Sequence, residues 1–452
     1  MKRVLVANRG EIACRILRTC KRLGLATVAV HSEADAEAMH AQMADHAVPI
    51  GASPPAESYL LGGKIVEAAR ATGADAIHPG YGFLSENEGF ARTVLAAGIA
   101  WIGPDPKSIE DMGDKERARL LAKAAGVPVL PGSARFAPGD TAGIDTAARE
   151  VGFPLLVKAS AGGGGIGMRR VDRPEDLAQA VESTQAMAAR AFGDGTVYLE
   201  RYIAEARHVE VQVFGFGDGR AIHLHERDCS TQRRFQKIIE ETPAPGLSPA
   251  TREAMCAAAA ALCAQERYRG AGTIEFVLDT ETQHFYFLEM NTRIQVEHPV
   301  TEMVSGLDLV EMQIRLAGGQ PLPVSAQADV NVSGHSIECR IYAERPAKGF
   351  LPAPGVLSRF DLPPAGRQVR IDTGVRAGDR VTHFYDPMIA KVVVLDADRG
   401  AAIKRMLATL GAVAIEGVDT NLAFLQKVLA HPAFRAGDVR TGFVDRSKKE
   451  LL

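Results

Sequence analysis

The chain has 452 residues, 46% of them hydrophobic and 24% charged, with a formal net charge of −3 at neutral pH. That length suits roughly three domains of about 150 residues each, with ordinary filled cores. The near-neutral balance offers no basic surface for nucleic acid, and the longest near-apolar run, Ala254 to Ala264, is too short to span a bilayer and reads as one helix.

At the amino end Met1-Lys2-Arg3 is basic, but Val4 to Ala7 is too short for a signal core. Val4 to Ala7 reads as a buried strand, Asn8-Arg9-Gly10 turns it, and Ile12, Ile16 and Leu23 give helical spacing over Glu11 to Leu23. Strands are expected at Thr27 to Val30 and Ala74 to His78, the latter followed by Pro79-Gly80-Tyr81-Gly82. This alternation predicts a doubly wound parallel sheet with ligands at the strand carboxyl ends, although the first turn lacks GxGxxG and gives no support for a dinucleotide site. A Gly- and Pro-rich break at Gly126 to Gly132 opens a second αβ region, with strands expected at Pro154 to Ala159 and Thr196 to Glu200. Val209, Val211 and Val213 alternate with His208, Glu210 and Gln212, a half-buried antiparallel pattern, and Gly217-Asp218-Gly219 turns into Ala221 to Glu226. After a second break at Gly318 to Pro323, Ser336 to Tyr342, Val369 to Thr373 and Lys391 to Leu395 predict a β-rich third region. Cys14, Cys20, Cys229, Cys256, Cys263 and Cys339 form no CxxC pair, which suits buried thiols in a reducing cytoplasm.

Five segments carry chemistry. Lys158 ends a strand just before Gly162 to Gly165, and glycine N–H groups beside a lysine suit phosphate; a plain flexible hairpin tip has the same composition. No Gly-Lys-Ser/Thr follows, so this is not a Walker A loop. Glu275 sits in Thr273 to Leu278, and a short connection leads to Phe285 to Leu288 and Glu289. A hairpin there sets two carboxylates side by side, and with the Asn291 amide oxygen they suit Mg²⁺; the alternative is one buried acid paired with arginine. Glu289, Asn291, Arg293, Gln295 and Glu297 occupy every second position, so an extended segment would present all five on one side, for a metal and a small oxyanion or simply for solvent. The charged run Glu226 to Lys237 reads as a solvated loop or an anion-lined site, with Cys229 as a structural thiol. Glu338 and Arg340 alternate with Ile337, Cys339 and Ile341, the spacing of a strand-borne ion pair.

Ala7-Asn-Arg-Gly-Glu-Ile12, His78-Pro-Gly-Tyr-Gly-Phe-Leu-Ser-Glu-Asn87, Met112-Gly-Asp-Lys115, Glu226-Arg-Asp-Cys-Ser230 and Glu289-Met-Asn-Thr-Arg-Ile-Gln-Val-Glu-His-Pro299 together resemble biotin carboxylase, of the ATP-grasp superfamily, from about Arg3 to Phe443. The resemblance implies an α/β fold: an N-terminal doubly wound parallel sheet over 1–113, a central ATP-grasp domain over 114–326 with a mobile lid at about 130–202, and a C-terminal β-rich α+β domain over 327–452. It implies ATP-dependent carboxylation of biotin by bicarbonate through carboxyphosphate. That is the first half-reaction of an acyl-CoA carboxylase such as acetyl-CoA carboxylase of fatty acid biosynthesis, with urea or a 2-oxo acid as alternative acceptors.

By the same resemblance, Lys115, Lys158, Gly164, Gly165, His208 and Gln232 hold ATP, and Glu200, Arg201, Tyr202 and Ile203 form the adenine hinge. Glu275, Glu289 and Asn291 bind Mg²⁺ or Mn²⁺; Lys237, Arg293, Gln295 and Val296 hold bicarbonate; Glu297 takes its proton. Arg340 stabilises the biotin enolate, with Tyr81 and Gly82 near the ring. Two positions depart from the family pattern: Ile166 stands where many members have Arg or Lys, and Phe235 where many have His. The sequence contains no Ala-Met-Lys-Met attachment segment and no length for a carboxyltransferase. The expectation is a cytoplasmic homodimeric subunit serving a biotinylated carrier protein and carboxyltransferase subunits, with no nucleic-acid or membrane partner. Two other readings are a carbamoyl-phosphate synthase half, which predicts an internal repeat that is not seen, and a nucleotide-binding regulator without catalysis, which the intact Glu275, Glu289, Arg293 and Glu297 oppose.

Overall fold

The computed structural model describes residues 1–160, 167–234 and 236–452. Two compact units emerge: a larger one of Met1–Val127, His208–Phe276 and Glu289–Leu452, and a smaller one of Pro128–Arg207 with Val277–Leu288.

In the larger unit, five parallel strands run β1 (Arg3–Val6), β2 (Ala26–Ser32), β3 (His46–Gly51), β4 (Ala76–His78) and β5 (Ala100–Trp101), in the order β3-β2-β1-β4-β5. The apolar Val4, Leu5 and Val6 of β1 are fully buried, as a parallel strand covered on both faces requires. Helix Gly10–Arg22 follows β1, with Glu11 in its first turn and Lys21 and Arg22 in its last, complementing its dipole. Gly374 passes so close to its start that a Cβ at 374 would lie 2.3 Å from the Gly10 carbonyl carbon, so only glycine fits there.

The smaller unit holds three antiparallel strands, β6 (Leu155–Ala159), β7 (Met168–Val171) and β8 (Val197–Arg201), in the order β7-β6-β8. Leu155, Val157, Val171, Val197 and Leu199 form its core with Leu177 and Val181 of helix Leu177–Phe192.

The large sheet has eight strands. Six are β9 (Ala206–Phe216), β10 (Ala221–Arg233), β11 (Gln236–Thr242), β12 (Arg269–Asp279), β13 (Phe285–Asn291) and β14 (His335–Tyr342); strands Met388–Asp396 and Val369–Thr373 complete the order after β14. Two expectations are corrected here. The alternating segment 208–213 is not half-buried: Glu210 and Gln212 are as fully enclosed as Val209, Val211 and Val213, because β9 lies inside the sheet and its polar side carries ion pairs. The charged run Glu226 to Lys237 is not a solvated loop but the end of β10 and the start of β11, and Glu226, Arg227, Asp228 and Ser230 are buried.

From β11 to strand Val369–Thr373 the sheet's two faces differ sharply. Ile239, Ile337, Cys339, Ile341, Val392 and Val394 look into an aliphatic core with Met406, Leu410 and Leu425. The opposite face carries Glu240, Glu338, Arg340, Lys391, Asp372 and Arg370, placed in register across the strands. Helix His298–Ser305 covers this charged face.

Candidate active site

β13 ends at Asn291, and helix His298–Ser305 begins seven residues later with Pro299 in its first turn, where a missing N–H costs nothing. The period-2 alignment expected from Glu289 to Glu297 therefore stops at Asn291. The intervening loop still gathers the same side chains. Asn291 Nδ2 and Gln295 Nε2 each donate to Glu275 Oε1 at 2.9 Å, and Gln295 Oε1 accepts from Arg227 at 2.9 Å. Arg293 donates to Asn291 Oδ1 at 2.9 Å and to Glu86 at 2.7 Å. The Val296 carbonyl accepts from Lys391 at 2.7 Å.

Lys237 is the hub. Its Nζ lies 2.6 Å from Glu210, 2.9 Å from Glu275 and 2.7 Å from Glu297. Burial alone would lower its pKa, but the three carboxylates outweigh burial and hold it well above the ordinary lysine value. Glu297 is clamped on both oxygens, Oε1 by Lys237 at 2.7 Å and Oε2 by Arg340 at 2.9 Å. Burial pushes this carboxyl up, yet Lys237, Arg340 and Arg227 prevail and keep it ionised, well below the usual carboxylate range. Glu275 behaves likewise: burial is overcome by Lys237 and by His208, whose Nε2 lies 2.8 Å from its Oε2. Arg340 also lies 2.6 Å from Glu240, which bears out the strand-borne ion pair.

The donor set fits a hard dication. Glu289 is half-buried, and burial followed by the repulsion of Glu275 pushes its carboxyl up, a strain that a cation between the two acids would relieve. Glu275, Glu289 and the Asn291 amide oxygen supply the oxygens. His208, Glu210 and Glu275 also bring ligand atoms within 4.8 Å of one another, but Lys237 and His208 already balance those acids.

The remaining expected residues fall in each unit separately. In the larger one, His208 Nδ1 accepts from Gln232 Nε2 at 3.0 Å, and Lys115 is exposed at the first position of helix Lys115–Ala124, close enough to lower the Glu289 pKa. In the smaller one, Lys158 pairs with Glu200 at 2.6 Å, Arg201 donates to the Val151 carbonyl at 3.3 Å, and Arg170 stacks 4.5 Å above the Tyr202 ring; Ile203 follows β8 and is half-buried. Gly164, Gly165, Ile166 and Phe235 lie outside the described residues.

A cavity of about 540 Å³ opens in the larger unit onto Tyr81, Gly82, Arg293, Val296 and Arg340. Tyr81 donates to Glu11 at 2.5 Å there. Cys229 is fully buried and its thiol is pushed well above the ordinary value by burial, then by Glu210, the environment of a structural thiol. Sequence reasoning missed Glu210, Arg227, Glu86, Lys391 and Glu11. Only Glu210 carried a usable signal, the shared parity with His208 and Gln212 on one strand.

Three family models match in succession: "Biotin carboxylase, N-terminal domain" over 1–109, "Carbamoyl-phosphate synthase L chain, ATP binding domain" over 114–325 and "Biotin carboxylase C-terminal domain" over 338–446. The chain is 51% identical to the mitochondrial methylcrotonoyl-CoA carboxylase subunit alpha of Oryza sativa subsp. japonica, across the whole chain but only 61% of that relative. It therefore spans about three fifths of the length of such relatives. It is 49% identical to the biotin carboxylase of Halalkalibacterium halodurans, covering 99% of this chain and 98% of that one. The crystallised biotin carboxylase domain dimer of Hydrogenobacter thermophilus 2-oxoglutarate carboxylase, in complex with MgADP, ADP and bicarbonate, superposes with a TM-score of 0.91 at 45% identity, covering 100% and 98% of the two chains.

Proposed function

This chain belongs to the biotin carboxylase family, and on that premise we propose a role for each residue of the site. The enzyme is an ATP-dependent ligase that uses bicarbonate and a divalent cation to carboxylate biotin, the first half-reaction of a biotin-dependent carboxylase. The observation that carries the reading is Glu297, ionised, buried and held on separate oxygens by Lys237 and Arg340.

An ionised carboxylate fixed between two cations is positioned to accept a proton from bicarbonate, and those cations then face the oxyanion that forms. Arg293, Gln295, Val296 and Lys237 hold the bicarbonate. Arg340 stabilises the enolate form of the biotin ureido group, and Tyr81 and Gly82 flank the ring in the cavity they share with it. Glu275, Glu289 and Asn291 hold the dication, which supplies charge neutralisation at the phosphates. His208, Gln232 and Lys115 of the larger unit, and Lys158, Gly164, Gly165 and Glu200 to Ile203 of the smaller, bind the nucleotide. Residues 1–113, 114–326 and 327–452 form the three domains, with a closing lid at about 130–202 that keeps water from carboxyphosphate.

The final acceptor is an acyl-CoA, a reading supported by the name of the plant relative at 51% identity. The biotin is carried by a separate biotinylated protein that delivers it to carboxyltransferase subunits, and the working form is a cytoplasmic homodimer. The six free buried cysteines suit that reducing setting. ADP release should require biotin and bicarbonate together with ATP and Mg²⁺; ATP cleavage indifferent to both would defeat the catalytic reading. Adding biotinylated carrier and transferase and comparing acyl-CoA, 2-oxo acid and urea acceptors tests the final step.

A further inference from the structure

Two buried acids on the charged face of the large sheet take no part in the roles assigned above. Glu240 of β11 and Glu338 of β14 are direct cross-strand partners, and both are fully enclosed. Side chains directly opposite in an antiparallel pair have Cβ atoms about 5 Å apart, within reach of each other. Among the described residues, none of their four carboxylate oxygens has a hydrogen-bond partner. Glu240 lies 2.6 Å from Arg340 Nη2, but without the alignment of a hydrogen bond.

The surrounding charges cannot neutralise both acids. Arg340, two residues along β14 from Glu338, is already committed to Glu297. Lys391 on the neighbouring strand lies 3.2 Å from Glu11 and donates to the Val296 carbonyl. Lys237 on β11 is held by Glu210, Glu275 and Glu297. Asp372 and Arg370, one strand further, pair with each other. His298 at the start of the covering helix is kept neutral by burial and then by Lys391, and Cys229 and Tyr81 keep their protons. Four carboxylates, Glu11, Glu240, Glu297 and Glu338, thus face Arg340 and Lys391, with only a share of Lys237 and of Arg227, both of which are paired with Glu210. Two ionised acids side by side in a dry site are unstable, and a carboxylic acid donating to its carboxylate neighbour satisfies both.

We propose that Glu240 and Glu338 hold a single proton between them, and that this proton positions Arg340. Burial, the largest effect on each, pushes Glu240 up to about 7 and Glu338 well above the carboxylate range; Glu297 adds to the rise of Glu240, and Glu240 to that of Glu338. The leverage on Arg340 follows from its attachment. One nitrogen, Nη2, bridges Glu240 and Glu297, while Nε has no acceptor among the described residues. The guanidinium therefore leans toward whichever carboxylate carries more charge. With the proton in place it stays on Glu297 and the cavity; removing the proton draws it toward Glu240. Glu240 and Glu338 are positioning residues, acting only through Arg340. The positioning role rests on the reading of Arg340 as a biotin-facing group; the shared proton does not.

Infrared spectroscopy of the purified enzyme reads the proton directly. The wild type should show a protonated-carboxyl C=O band near neutral pH that fades on raising the pH and is missing in Glu338→Gln. A wild-type spectrum with no such titrating band overturns the shared proton, even if the variant does not fold and even if no turnover is detected. Kinetics read the positioning. Wild-type kcat/KM for biotin should fall as the band fades, Glu338→Gln should flatten that dependence, and Glu240→Gln, which removes the charge competing for Arg340, should abolish the fall at high pH. KM for ATP should stay within about twofold in both, since neither acid touches the nucleotide residues. A normal pH profile for biotin in Glu338→Gln, or equal losses for biotin and ATP, overturns the positioning role and leaves the pair purely structural.

Discussion

Lys237 and Lys158 are both strand-borne lysines with buried stems, yet their surroundings differ. Lys237 of the larger unit meets three carboxylates between 2.6 and 2.9 Å away, whereas Lys158 of the smaller unit meets one, Glu200 at 2.6 Å. Their side chains are 13% and 21% exposed, so burial alone does not separate them. The number of partners does. A cation shared by three anions cannot leave without stranding all three in a dry site, while a cation with one partner can trade it for a phosphate. The first is a fixed element of the electrostatic frame, the second an exchangeable contact.

The largest expected effect tests the frame at its proposed base. Glu297→Gln should keep ATP binding and lose about 10² to 10⁴ in biotin-dependent turnover, the usual contribution of a positioned base; steady-state ADP release and nucleotide titration together check it. Next, Lys237→Met leaves Glu210, Glu275 and Glu297 without their shared cation. Breaking a buried pair on one side costs on the order of 3–5 kcal/mol, read as a lower urea midpoint, whereas a loss under about 1 kcal/mol would erase the contrast with Lys158.

Both lysine tests belong above about pH 6.5, because two buried histidines set an acid limit. His40 and His78 are fully buried and held to about 4 and about 3, by burial before any charged neighbour. Their folded values lie below the unfolded one, so the unfolded chain binds more protons in acid. Their stabilising share is complete above about pH 6.5 and is lost as pH falls toward 4 and 3, with His40 alone accounting for about 3 kcal/mol. Urea denaturation at descending pH should show this decline, and His40→Gln should make it shallower. The smallest effect is on the exchangeable contact: Lys158→Ala should weaken ATP by roughly 10- to 100-fold, the equivalent of a charge-assisted hydrogen bond of about 1.5–3 kcal/mol, with little change in the urea midpoint. A drop in midpoint as large as that of Lys237→Met would show that the two lysines are alike after all.

The parallel sheet, the hairpin turn at Gly217 to Gly219 and the three strands after residue 335 were legible because apolar runs and turn residues are local signals. The enclosure of Glu210 and Gln212 was not, since the group that satisfies both is Arg227 from the next strand, itself bonded to Thr301 of a distant helix. The run Glu226 to Lys237 reads as wet for the same reason. Its charges are neutralised by partners that no local window contains. The Glu289 to Glu297 segment shows a different failure. Its chemistry was visible in the residue types, but the strand geometry invoked to gather them ends at Asn291, and loop hydrogen bonds to Glu275 do the gathering instead.

Asn421 caps nothing at the head of helix Leu422–Ala430; its side chain serves β14 instead. The carboxamide donates to the Arg340 carbonyl at 3.0 Å and accepts from the Tyr342 N–H at 2.9 Å, beside the register shift at Ile341/Tyr342. One fully buried side chain thus imitates a missing stretch of neighbouring strand. The task needs a donor and an acceptor on a short arm. Aspartate lacks the donor, serine the reach, and glutamine overshoots. This gives the position an evolutionary meaning that requires no alignment. Lineages that retain the register shift in β14, and with it the seat of Arg340, are expected to spell this one site with the same letter, while the exposed positions of the helix that follows drift freely.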